Sequence, residues 1–136
     1  MPASRLDHYN IWTNCFAATM DFYTRVLGLK AGPRPPTLLA GAWLYDDSER
    51  PVVHLVDVPA TDAAELEKAG GRDPGTLTNS GAIDHVAFDA TDYEDMCKRL
   101  QKAGITYRED GIPAINLRQL FVPDPNNIVL ELNFRN

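Results

Sequence analysis

The chain has 136 residues and a mass of 15.1 kDa, enough to bury a useful core, and 44% hydrophobic against 24% charged residues exclude a disordered or fibrous class. A net charge of −6 and a pI near 4.9 exclude nucleic acid and anionic membrane as partners, because a phosphate-binding surface needs a basic stripe. Cys15 and Cys97 are too few for a disulfide framework; with no signal-peptide core and no apolar run near the ~20 residues of a membrane span, a cytoplasmic protein is expected.

Residues 6–12 alternate as a strand whose one face carries Leu6, His8, Asn10 and Trp12. Phe16, Met20, Tyr23, Val26 and Leu27 then recur at helical spacing, with Gly28 as the stop. The segment Ala31 to Pro36 carries three prolines without backbone donors and is expected to be a loop that covers a site. Residues 42–45 and 52–58, joined by Asp46 to Pro51, read as a β-hairpin. A short helix is expected over 63–68, inside a connector rich in Gly, Asp, Asn and Pro.

The second half repeats this plan. A strand is expected over 83–89, a helix from about Tyr93 to Ala103 stopped by Gly104, and strands over 117–122 and 128–134 around Asp124-Pro125-Asn126-Asn127. Extended stretches at 37–40 and 105–109 supply one further strand per half. The expectation is an α+β fold of two βαβββ units in a curved sheet around a cleft. Repeat 1 covers about 5–58, the connector 59–82 and repeat 2 about 83–134, in a single domain spanning 1–136.

Chemistry enters through the repeat. His8 and His85 lie 77 residues apart, and so do His54 and Glu131. Leu6-Asp7-His8 recurs as Ile83-Asp84-His85, and Val52-Val53-His54-Leu55 as Val129-Leu130-Glu131-Leu132. The chain has three histidines, and all of them fall in this set. Imidazoles together with a carboxylate in one repeat-related set suggest a metal site, of the kind that suits Fe(II), Mn(II), Ni(II) or Zn(II). The competing reading is a duplicated fold that binds its ligand without metal. Asp7 and Asp84 are expected on the opposite strand face, in structural roles.

A βαβββ duplication with Asp-His on the first strand of each half, closed by the segment Gln119 to Leu132, resembles the vicinal oxygen chelate superfamily. That group includes glyoxalase I, methylmalonyl-CoA epimerase, fosfomycin and bleomycin resistance proteins and extradiol dioxygenases. The resemblance implies a divalent metal held by His8, His85 and Glu131, with His54 at the fourth ligand position. It further implies a small-molecule substrate that chelates through adjacent oxygens, with His54 and Glu131 as catalytic groups. Glyoxalase I typically has a carboxylate where this chain has His54. Isomerase or lyase chemistry, O2-dependent ring cleavage and drug sequestration without metal all stay open, and a homodimer is expected.

Hairpin register nominates the surroundings. A turn centred on Pro125 and Asn126 sets Leu120 opposite Glu131, with Arg118 and Val122 on the same face. Shifted by the repeat, Trp43 opposes His54, with Tyr45 and Gly41 beside it. Trp43, Tyr45 and Arg118 are therefore the expected substrate contacts, the aromatics as walls and Arg118 as partner to a carboxylate or phosphate.

Overall fold

The computed structural model describes residues 2–135, and the chain divides into two compact units between Leu77 and Thr78. In the first, strand β1 (Tyr9–Thr13) leads into helix α1 (Phe16–Asp21), which continues through one wider π-helical stretch over Phe22–Val26. Gly28, at φ 89°, ends it. Strands β2 (Lys30–Gly32), β3 (Gly41–Tyr45) and β4 (Pro51–Asp57) follow, in the sheet order β1-β4-β3-β2. β1 runs parallel to β4, and the other pairs are antiparallel. Helix α2 (Ala63–Lys68) lies in the connecting segment.

The second unit repeats the order: strand β5 (Val86–Ala90), helix α3 (Tyr93–Lys102), and strands β6 (Arg108–Ile112), β7 (Leu117–Pro123) and β8 (Val129–Arg135). The sheet order is β5-β8-β7-β6, the same as in the first unit. Asp92 caps α3 by accepting a hydrogen bond from the Asp95 amide at 3.1 Å, and Gly104 at φ 70° follows its end. The fold is α+β, with two βα repeats.

One face of each sheet is apolar. In the first unit Ile11, Leu44, Val53 and Leu55 are buried on one face, and α1 with its continuation buries Phe22, Tyr23 and Val26. The second buries Leu120, Val122, Leu130, Leu132 and Phe134 on the corresponding face, and α3 buries Tyr93, Met96 and Leu100. The Tyr93 ring meets Phe134 edge-on at 5.2 Å. The period of two places His54 and Glu131 on the other, more polar face of their sheets.

Three strand expectations are corrected. The extra strand of the first half is Lys30–Gly32 rather than 37–40, because Ala31 and Gly32 pair with Leu44 and Trp43 before Pro33, lacking an N–H, ends the ladder. Its counterpart in the second half is Arg108–Ile112, three residues later than expected at its start. The first strand of each half begins at Tyr9 and Val86, so both Asp-His pairs precede their strands instead of alternating within them.

The hairpin turns explain a further correction. Each has a three-residue loop: Asp124 N–H donates to Ile128 O at 2.9 Å, and Asp46 N–H donates to Arg50 O at 2.9 Å. The third loop residue is left-handed in both, Asn127 at φ 61° and Glu49 at φ 62°. A three-residue loop moves the β7–β8 register by one, so Phe121, not Leu120, opposes Glu131. In the first unit a β-bulge at Val52 cancels the shift: Tyr45 pairs with Pro51, Leu44 with Val53, and Trp43 with His54 as expected.

Candidate functional site

His8 stands just ahead of β1, on the face that Asn10 shares with His54 across the β1–β4 ladder. Its ring stacks on His54 with centroids 3.7 Å apart and planes 14° from parallel. Trp43 stacks on the other side of His54 at 4.0 Å and 11°. His54 is thus clamped between two rings, and its Nε2–H donates to the Pro51 carbonyl at 3.1 Å. That bond leaves Nδ1 as the unprotonated nitrogen. Burial, followed by the neighbouring His8, holds the His54 pKa below the ordinary histidine value and so favours the neutral ring.

The second unit builds its pair differently. His85 Nε2 lies 3.5 Å from Glu131 Oε1. Asn133 Nδ2 donates to Glu131 Oε2 at 3.0 Å, and Gln119 Nε2 donates to Asn133 Oδ1 at 3.1 Å. Phe121 meets the His85 ring edge-on at 6.2 Å, and the Arg108 guanidinium lies 4.1 Å over Phe121. The hydrogen bond to Asp84, with the Glu131 and Asp84 charges, raises the His85 pKa above its ordinary value despite opposing desolvation.

The expected site residues divide accordingly. The fold brings His8 to His54 and Trp43, and His85 to Glu131. Among the described residues no three His, Cys, Asp or Glu side chains form a group able to hold a metal ion. Arg118 is corrected: the one-residue register shift turns it away from Glu131, and it donates to Glu94 Oε1 at 3.2 Å with its guanidinium 3.5 Å over the Tyr93 ring. Val122, expected beside Glu131, is buried on the apolar face opposite Leu130 for the same reason. Tyr45 lies over Gly32 and donates its hydroxyl to the Pro33 carbonyl, tying down the proline-rich loop. It lines an open cavity of about 650 Å³ with Lys30, Asp46 and Glu49, and the lining includes neither Trp43 nor His54.

Sequence reasoning passed over Phe121, Gln119 and Asn133 around Glu131, and misplaced Asp7 and Asp84. A signal for the first group was present. Asp46 and Asp124, the turn residues that each accept two backbone N–H bonds, lie 78 residues apart while His54 and Glu131 lie 77 apart. That one-residue discrepancy marks an insertion between turn and ligand position in the first half, which is the bulge at Val52.

The pairs differ in their fit to a metal ion. Two ligand atoms about 2.1 Å from a tetrahedral divalent cation stand about 3.4 Å apart, close to the 3.5 Å between His85 Nε2 and Glu131 Oε1. The His8 and His54 rings of the first unit instead lie in nearly parallel planes, with centroids 3.7 Å apart. The two donors of the second unit are therefore spaced as two ligands of one divalent ion, and in the first unit each histidine has one ring nitrogen hydrogen-bonded, Nδ1 of His8 with Asp7 and Nε2 of His54 with Pro51.

A family model, the Glyoxalase/Bleomycin resistance protein/Dioxygenase superfamily, matches residues 5–132. The chain belongs to this superfamily. A protein of Arabidopsis thaliana named Glyoxylase I 4 is 28% identical over 132 residues, covering 93% of this chain and 68% of the relative. Among solved structures, a fosfomycin resistance protein from Listeria monocytogenes superposes with TM-score 0.68 at 14% identity, over 98% of this chain and 95% of its own. An antibiotic-binding protein from a Streptomyces species superposes with TM-score 0.66 at 20% identity, over 100% of this chain and 99% of its own. At these identities the structural likeness speaks for the superfamily fold. Among the described residues no helix is long and apolar enough to cross a membrane.

Proposed function

We propose that the protein is a divalent-metal-dependent enzyme acting on a small substrate with vicinal oxygens, and that His8, His85 and Glu131 are the metal ligands. The observation that carries this reading is the His85–Glu131 pair at 3.5 Å, its carboxylate steadied from behind by Asn133. Bound there, a divalent ion would polarise a carbonyl or acidify a hydroxyl of a chelating substrate. The metal is one of Fe, Mn, Ni or Zn by the nature of the donors.

His54 supplies the proton-transfer group in this scheme. Pinned through Nε2 and neutral, it carries its free lone pair on Nδ1, which suits a general base toward a bound substrate. Glu131 is taken up as a ligand, and the flat face of Trp43 holds the His54 ring in place. A neutral imidazole in this position supports proton abstraction next to a carbonyl, the glyoxalase-like isomerase or lyase reading, and is equally suited to take a proton from a catechol in extradiol chemistry.

A second reading draws on the same stack. Because the His8, His54 and Trp43 rings already satisfy one another, metal-independent binding of a flat small molecule, as in a drug-resistance protein, is the alternative. We further propose a homodimer working in the cytoplasm; two cysteines, too few for a disulfide framework, agree with a reducing compartment.

Metal analysis of the purified protein, followed by a panel of dicarbonyl and catechol substrates, tests the proposal. About one divalent ion per chain is expected, lost in the doubly substituted His85→Ala, Glu131→Ala protein. Undiminished metal content in that variant rules the ligand assignment out, and ligand binding that survives chelation favours the second reading. A stable monomer by light scattering at micromolar concentration rules out the dimer.

A further inference from the structure

The two Asp-His dipeptides share one local geometry. Asp7 Oδ2 lies 2.7 Å from His8 Nδ1, and Asp84 Oδ2 lies 2.8 Å from His85 Nδ1. A carboxylate only accepts, so in both units the imidazole donates from Nδ1. The same bond forms in each of the two compact units at positions 77 residues apart, on backbone that precedes each strand. Neither aspartate is packed into a core: their side chains are 81% and 93% exposed, against 36% and 37% for the histidines they hold. A structural role for such open carboxylates is weak, since an exposed ion pair contributes little to folding.

What the bond does determine is the identity of the protonated nitrogen. A neutral imidazole with its proton on Nδ1 presents its lone pair at Nε2, on the far side of the ring. In the second unit Nε2 is the atom that faces Glu131. Carboxylate partners behind ligating histidines orient the ring and raise its basicity.

We infer that Asp7 and Asp84 are positioning residues that hold His8 and His85 as Nδ1–H tautomers and so turn both Nε2 atoms outward as ligands. The inference rests on the metal-site reading above and extends it to two residues outside the ligand set. It also assigns both aspartates the same task, once per repeat. His54 differs from the two histidines in this respect, since its backbone bond protonates Nε2 and frees Nδ1.

Long-range 1H–15N correlation spectra of the metal-free protein, recorded above the imidazole titration range, read the tautomers directly. The wild type is expected to show Nδ1–H at His8 and His85. Asp7→Ala and Asp84→Ala each release their own histidine toward the Nε2–H form and leave the other unchanged. Asp7→Asn and Asp84→Asn, which keep an acceptor oxygen, retain Nδ1–H. Competition with a chromophoric chelator for Zn²⁺ then gives affinities about 10- to 100-fold weaker in the alanine variants, recovered in the asparagine variants. Alanine variants that keep the Nδ1–H tautomer overturn the inference, as do alanine variants with wild-type Zn²⁺ affinity. A wild-type protein that binds no Zn²⁺ overturns the metal reading instead, and the tautomer spectra still decide the role of the aspartates.

Discussion

Phe121 lies directly across the β7–β8 ladder from Glu131. This pairing puts an aromatic ring, capped by Arg108, beside the carboxylate and sends Arg118 to the helix-covered face. The relationship depends on a turn whose Asp124 side chain is 3% exposed in residue terms and accepts N–H bonds from Asn126 at 2.8 Å and Ile128 at 2.9 Å.

Asp124→Ala is therefore expected to destabilise the protein by about 2–4 kcal/mol, the cost of stranding two backbone donors in a buried turn. Urea denaturation measures it. A loss under about 0.5 kcal/mol would show that the turn does not depend on its aspartate.

Substituting Arg118 and Phe121 in turn separates the faces of the second sheet. Arg118→Ala is expected to leave substrate or ligand affinity within twofold of wild type, because Arg118 contacts Tyr93 and Glu94 on the helix side. Phe121→Ala, beside His85, is expected to weaken it several-fold. Calorimetric titration with any ligand found in the substrate panel decides the matter, and the reverse ranking would contradict this assignment of faces.

His54→Ala discriminates between ligand and base. With His54 acting as the base through Nδ1, the expected outcome is retained metal and a fall in turnover of about 10²- to 10⁴-fold. Loss of the metal together with activity would instead make His54 a ligand.

Tyr93 donates to Glu109, and burial together with that bond raises its pKa from 10.0 to about 12. The neutral form is the one the native state favours. Stability from this group is thus intact below the unfolded value of 10.0 and declines as pH rises toward about 12. Tyr93→Phe should be less stable at neutral pH for want of the hydrogen bond, yet show a shallower decline across that alkaline window. Parallel slopes for the two proteins in denaturant titrations at several pH values would count against it.

Sequence alone carried the duplication. The repeated Asp-His dipeptides and the 77-residue offset between His54 and Glu131 follow from residue identity and spacing. Period and punctuation located the helices ending near Gly28 and Gly104, as well as the helix at Ala63–Lys68, because capping and periodicity are local. Trp43 facing His54 was also legible, although for an incomplete reason: an assumed two-residue turn gave the pairing that a three-residue turn and a compensating bulge produce.

Tertiary structure decided the rest. Whether a turn takes two residues or three depends on which backbone groups find partners across the ladder, and a single step reverses every side chain beyond it; that is why Arg118 and Phe121 exchanged places. Likewise the strands begin only where a neighbouring strand offers hydrogen bonds, at Tyr9 and Val86. Asp7 and Asp84 are thereby left outside the alternation, where each can turn its carboxylate onto the histidine that follows. Spacing along a chain specifies which residues can share a face, but pairing between chain segments determines which ones do.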